Sequence, residues 1–189
     1  MQMKWMNTNK GYGVISRLLH IIVAILLIVQ LSVGFWMIGL LGDSKALIYS
    51  YHKSFGLFIL ALAWCRLVWR VINPVPKLNT SNFSGLLARS IHCVFYSLLL
   101  VIPISGWVMS TKVSSPPYVP YLGYLAFPLI KGKSVCILGH PYDWAIIFSN
   151  IHEYTVYFLL ICIVLHTIIA YRHAKMKNEI YKRMFSDQT

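Results

Sequence analysis

The sequence predicts an all-α integral membrane protein: a four-helix bundle with both termini in the cytoplasm, formed by one domain over residues 1–189. Three observations predict it. The 189 residues are 58% hydrophobic and 12% charged, with a mean hydropathy of +0.64, whereas a soluble domain carries about 25% charged residues. The apolar residues gather into four segments, each long enough to cross a hydrocarbon core of about 30 Å as a helix. The basic residues, finally, are distributed unevenly among the connections.

The first span covers residues 15–41. Lys4, Lys10 and Arg17 ahead of it give a superficial likeness to a signal peptide. The run from Leu18 to Leu41 is too long for a signal h-region, however, and no small-x-small cleavage site follows it, so it is expected to be retained. The second span covers 49–72, and "NPVPKLNTSNFSG" (73–85) ends it, because its prolines stop a helix and its Asn, Ser and Thr residues favour a loop. The third span covers 87–110 and the fourth 145–171. Between them, 111–144 is the one long connection. It contains "SSPPYVPYLGYLAFPLIKGK", which either lies across the mouth of the bundle at the interface or serves as a plain tether.

Charge orients the spans. Seventeen Lys and Arg face five acids, for a net charge of +12. Twelve of them (Lys4, Lys10, Arg17, Arg66, Arg70, Lys77, Arg89, Arg172, Lys175, Lys177, Lys182 and Arg183) fall on one side. The five on the other are Lys45, Lys53, Lys112, Lys131 and Lys133. The positive-inside rule places both termini in the cytoplasm. The same rule accounts for the net charge without nucleic acid, since no basic and aromatic patch lies outside the apolar runs. Cys65, Cys93 and Cys162 lie inside spans and Cys136 sits alone in a loop, a pattern that gives neither a zinc site nor a disulfide framework.

The histidines carry the chemistry. In "HEYTVYFLLICIVLH", His152 and His166 are fourteen residues apart, which places them near one helix face and about 21 Å apart along the axis. With the predicted orientation, His20 lies near the cytoplasmic side of the first span and His52 at the outer end of the second. Two pairs matched in depth result: His20 with His166 inside, and His52 with His152 outside. A lone membrane histidine is most often a satisfied hydrogen-bonding residue, but depth-matched pairs inside spans mark function. Two imidazoles opposed across a bundle are what a low-spin b-type haem needs as axial ligands, and two such haems would form an electron path through the bilayer. Gly56 and Ala170, one turn after His52 and His166, leave room for a flat macrocycle, although small residues also serve ordinary helix contacts. His92 falls at the depth of the inner pair, as a rival ligand or a supporting residue. His173, seven residues after His166, lies at headgroup level, where a quinone ring could be hydrogen-bonded; an exposed tail histidine is the plainer alternative. His140, in "LGHPYDW", is structural, exposed or part of a rim for donor docking.

An ordered set of fragments resembles the bacterial cytochrome b561 family, four-helix di-haem membrane cytochromes, over nearly the whole chain. "SRLLHIIVAILLI" resembles the first helix with its haem histidine. "YSYHKSFGLFILALAWCRLVWRVINPVPK" resembles the second, with a ligand histidine, a glycine one turn on, paired Arg66 and Arg70, and a Pro-rich exit. "HCVFYSLLLVIPISGWVMS" and "IHEYTVYFLLICIVLHTIIAYRH" resemble the third and fourth. The resemblance implies haem iron ligation by His20 and His166 at the cytoplasmic haem and by His52 and His152 at the outer one, in agreement with the depth pairing. It also implies two haem b groups, location in the bacterial inner membrane among lipid, and electron transfer between a donor at the periplasmic face and the quinone pool. Some members are assigned superoxide oxidation coupled to ubiquinone reduction, so the resemblance makes this chain a candidate superoxide:ubiquinone oxidoreductase, with His173 similar to a family histidine near the quinone. The donor, superoxide or a redox protein, is the least transferable part, because the Pro- and Tyr-rich loop is the least family-like region.

Lys53, Lys112, Lys131 and Lys133 on the outer side could attract an anion by focusing the field, or simply keep that surface solvated. Arg17 and Lys53, a turn or less from ligand histidines, are expected to pair haem propionates. Arg66 and Arg70 are expected to snorkel to the cytoplasmic interface. No side chain is expected to make or break bonds; the redox chemistry would belong to the cofactor. Two other readings stand beside this one. The first is the cytochrome b subunit of a larger hydrogenase- or formate-dehydrogenase-like complex, which a co-purifying second polypeptide would reveal. The second is a haem-free proton or metal transport bundle, disfavoured because no Asp or Glu lies deep in a span. A structural anchor with incidental histidines leaves the depth matching unexplained.

Overall fold

The computed structural model describes residues 5–8, 11–74, 76, 82–110, 118–119, 123–124, 135–137 and 140–176, with 82–88 and the short strands described by backbone alone. Lys4, Lys10, Lys77, Lys112, Lys131, Lys133, Lys177, Lys182 and Arg183, and most of the long connection, lie outside these residues.

Four helices run α1 (Val14–Ile38), α2 (Gly42–Ile72), α3 (Asn82–Met109) and α4 (Trp144–Lys175). All four are long and apolar enough to cross a membrane. A helix satisfies its backbone within itself, as a segment surrounded by hydrocarbon must, and α3 does so around an internal proline, Pro103. The chain is therefore an all-α four-helix membrane bundle. Its surface is apolar where lipid would lie: Ile25, Phe58, Trp64, Val101 and Ile161 point outward. The buried core is correspondingly small, with Val23, Ile59, Ala63 and Leu99 packed together under Leu26, Leu27 and Leu62. Van der Waals fit rather than water exclusion holds such an interior together. α1 packs on α2, α2 on α3 and α3 on α4.

Below, the near end of the bundle means the end where α1 and α3 start and α2 and α4 finish; the far end is the opposite one. α2 begins at Gly42 rather than at residue 49. Gly42 has φ +65, a left-handed conformation that glycine adopts without a Cβ penalty, so the chain reverses within residues 39–41 and starts the next helix at once. Asp43, Ser44 and Lys45 belong to those added residues, about two turns of helix, which hydropathy alone excludes from a span. α4 similarly continues past residue 171 to Lys175, with Arg172, His173 and Lys175 in its last turn, where cations suit the helix dipole. Its start is capped by Asp143, whose side chain accepts from the Ala145 N–H at 3.0 Å. The long connection contributes two antiparallel ribbons, β1 (Tyr118–Val119) with β2 (Gly123–Tyr124) and β3 (Val135–Ile137) with β4 (His140–Tyr142). β1 lies against α2.

The segment before α1 is tied down. Asn7 Oδ1 accepts from the Gly13 N–H at 3.0 Å and from the Ser16 hydroxyl at 2.6 Å. Ser16 Oγ in turn accepts the Trp69 indole N–H at 2.9 Å, linking this clasp to α2. Gly13 is required here because a Cβ would strike the Trp5 carbonyl.

Candidate functional site

Each helix carries two residues of the site, fourteen positions apart: His20 and Gly34 on α1, His52 and Arg66 on α2, His92 and Gly106 on α3, His152 and His166 on α4. Fourteen residues make about 3.9 helical turns, so both members of a set share a face at two depths. The far layer is thus Gly34, His52, Gly106 and His152, and the near layer is His20, Arg66, His92 and His166.

In the far layer two imidazoles rest on two glycines. A Cβ at Gly34 would lie 3.2 Å from His52 Cε1, and one at Gly106 would lie 3.0 Å from His152 Cε1 and 3.1 Å from its Nδ1. Any larger residue would push the rings away. The α3 backbone also orients His152, whose Nδ1 donates to the Ile102 carbonyl at 2.8 Å; the Ser105 hydroxyl donates to the same oxygen at 2.8 Å and lies 3.4 Å from the nitrogen. A carbonyl only accepts, so the imidazole proton sits on Nδ1 and Nε2 keeps its lone pair. His52 Nδ1, by contrast, is buried and has no hydrogen-bond partner among the described residues.

Both imidazoles line one cavity of about 450 Å³ that all four helices enclose, a volume in the range of small-molecule and cofactor sites. Its wall is mainly apolar, with Leu27, Leu57, Leu98, Leu99 and Val156 among the lining residues. Pro103 also lines it. Lys53, Tyr49 and Glu153 add polar groups. Gln30 reaches into the same region from α1, its Nε2 donating to the His52 carbonyl at 2.6 Å.

In the near layer the rings of His20 and His166 have centroids 6.3 Å apart and planes inclined by 76°. Phe95 packs edge-on against His166 at 5.3 Å. His92 is within electrostatic reach of both His20 and His166. Arg66 Nη2 donates to His20 Nδ1 at 2.9 Å. Its guanidinium lies over the Tyr96 ring at 5.5 Å, and Arg70 lies over the same ring at 5.6 Å. The expectation that Arg66 snorkels to the interface is therefore corrected: it turns inward, because His20 and Tyr96 offer a lone pair and a π face within the bundle. Arg17 is half-buried, with an Nε that has no partner among the described residues, and His173 lies in the last turn of α4. His140 falls in β4, apart from the bundle helices.

The structure thus brings His20 to His166, and places His52 with His152 on one cavity. Gly56 lines the same cavity, with a Cβ there 3.4 Å from the Gln30 amide nitrogen, whereas Ala170 is exposed; the two far imidazoles themselves rest on Gly34 and Gly106. Neither glycine, nor Gln30, stood out in the sequence. The signal that would have found the glycines is the fourteen-residue interval, noticed on α4 but repeated on every helix.

The donor set fits haem iron: His20 and His166 are imidazoles from opposite helices with ring centroids 6.3 Å apart, the ligand type a b-type haem would take. Among the described residues no three His, Cys, Asp or Glu side chains gather as a cage for a bare ion.

Comparison with known proteins agrees. The family profile described as Prokaryotic cytochrome b561 matches residues 11–187. The chain is 30% identical over 189 residues to cytochrome b561 homolog 2 of Escherichia coli (strain K12), covering 96% of this chain and 95% of that protein.

Proposed function

The chain belongs to the prokaryotic cytochrome b561 family, and on that premise we propose that it carries electrons between a donor at the periplasmic face and the quinone pool through two bis-histidine b-type haems. Family and fold make it a multi-pass protein of the bacterial inner membrane and a haem-dependent electron carrier. His20 with His166, at the near end that this reading places in the cytoplasm, and His52 with His152, at the far end, would hold the two haems. The observation that carries this reading is the pairing itself: four imidazoles at two depths, two of them 6.3 Å apart and two on one cavity. Superoxide is the donor class that best suits Lys53 at the cavity, and ubiquinone the acceptor that best suits His173 at the cytoplasmic headgroup level.

When bound, haem iron supplies a one-electron couple; the protein supplies ligands and surroundings. His152 holds its proton on Nδ1 against the Ile102 carbonyl, fixing the tautomer and ring direction and raising the basicity of Nε2. The apolar wall keeps water out and lowers the local dielectric. His20 differs, because Arg66 occupies the lone pair of its Nδ1. Ligation through Nε2 puts a proton on Nδ1, and an arginine cannot accept one. Arg66 would therefore have to release His20 Nδ1 for the near site to be loaded, and with Arg17 would supply cations for the carboxylates of a haem. Lys53 serves the far site in the same way.

The test is the reduced-minus-oxidised visible spectrum of purified protein, with a pyridine haemochrome count per chain. Two low-spin b haems per chain are expected. His152→Ala is expected to lose one haem and keep the His20/His166 signal; a variant retaining two haems with unaltered bands would overturn the pairing.

A further inference from the structure

We propose that Gln30 is a positioning residue for His52 and so sets the ligand geometry of the far haem, an inference that rests on the ligand assignment above. Gln30 sits within α1, the most hydrophobic of the four spans, where an amide is costly unless it is hydrogen-bonded. Its Nε2 donates to the His52 backbone carbonyl at 2.6 Å, across the α1–α2 contact. Gly56, one turn beyond His52, borders the same amide, a Cβ there falling at ordinary contact distance, 3.4 Å, from the nitrogen.

α1 therefore holds His52 at two points one turn apart. Gln30 takes the backbone, and Gly34 receives the ring, with a Cβ at Gly34 falling 3.2 Å from Cε1. α3 holds His152 in a parallel way, through the Ile102 carbonyl and, four residues on, Gly106. The two grips differ in one respect. For His152 the polar contact is to the ring nitrogen, whereas His52 Nδ1 has no partner among the described residues. The ring of His52 is thus directed only by the surface it rests on and by the rotation and height of its own backbone. Gln30 fixes that rotation and height. It also lines the cavity itself, so the same amide borders the space the cofactor would occupy.

A plain helix-joining role would predict something else. An interhelical hydrogen bond in a membrane contributes only modestly to stability, and its loss would soften the whole bundle without singling out one haem. The decisive substitution is Gln30→Met, which keeps length and removes the donor, compared with Ser32→Ala. Ser32 is exposed on the same helix, and its hydroxyl bonds only to the Ile28 carbonyl of that helix.

The measurement is redox potentiometry with low-temperature EPR on the purified holoprotein. The wild-type haem count and the His152→Ala difference first identify the far haem; failure at that stage refutes the ligand assignment rather than the role of Gln30. With the far haem identified, Gln30→Met is expected to shift its equilibrium between ferric and ferrous forms by threefold to tenfold, the latter being 59 mV for one electron. Its EPR g-values move as well, or it is lost selectively, while the near haem and Ser32→Ala remain as in wild type. Unchanged signals from both haems would overturn the proposal. So would equal shifts in both, or loss of both, since each would indicate a general effect on the bundle.

Discussion

Gly106→Ala adds one methyl group at the most closely approached point of the far site. Its carbon would lie 3.0 Å from His152 Cε1 and 3.1 Å from Nδ1, whereas carbon atoms rest at about 3.5–4.0 Å. The ring must therefore retreat by about 0.5 Å or more. It is tethered on the same side by the 2.8 Å bond from Nδ1 to the Ile102 carbonyl. A retreat of that size stretches this bond to about 3.3 Å, past the usual N–H···O range. Overpacking of this kind costs about 1–3 kcal/mol, and at 1.4 kcal/mol per decade this becomes a roughly five- to hundredfold weaker hold on the far haem. Alanine also gains about 0.5–1 kcal/mol over glycine as a helix former, which offsets part of that cost in the bundle. The assay is haem retention: a haemochrome count on protein purified in parallel, followed by displacement of haem into excess apomyoglobin. The contacts also fix an order. Gly34→Ala, at 3.2 Å from His52 Cε1, is expected to lose the far haem less readily, and Gly56→Ala, at 3.4 Å from a movable amide, hardly at all. A Gly106→Ala protein that keeps the far haem as wild type does, or a Gly34→Ala protein that loses it faster, would refute the reasoning.

Two further substitutions test the scaffold. Asp143→Ala removes the cap on the helix that carries two of the proposed ligands, His152 and His166, and is expected to cost about 1 kcal/mol. Thermal loss of both haem bands at lower temperature would report it, and Asp143→Asn should behave as wild type. Asn7→Ala removes an oxygen that accepts two hydrogen bonds and reaches Trp69 through Ser16, at an expected cost of about 1–3 kcal/mol. Because the role is that of an acceptor, Asn7→Asp should restore the thermal midpoint. A midpoint left low by aspartate would show that the amide nitrogen matters instead.

Much of the site was legible in the sequence because depth in a membrane helix is a linear quantity. At 1.5 Å per residue, position along the chain becomes height in the bilayer, and the order of spans alternates its direction. That is enough to set His20 level with His166 and His52 level with His152 before any packing is known. The four spans were legible for a related reason: only a helix with its backbone satisfied internally can cross lipid, so hydropathy and length suffice. The ends of the helices were less so. α2 has 31 residues, about 46 Å of helix, and its first turns, with Asp43, Ser44 and Lys45, are helical without being apolar.

What depth does not give is azimuth. Whether a side chain at a given height meets lipid, a cavity or another helix depends on how each helix is rotated and which helix stands beside it. Those are properties of packing between segments distant in sequence. The sequence alone therefore determined that this is a four-span bundle with histidines paired at two levels. Only the tertiary structure decided that Gly34 and Gly106 receive the rings, that Gln30 reaches the His52 carbonyl, and that Arg66 turns inward to His20 and Tyr96. In lipid, apolar surface alone does not choose between rotations of a helix, because the tails are as apolar as the helix face. The choice falls to close-packed contacts and to the few polar groups that must find partners, and these are decided between helices rather than along one.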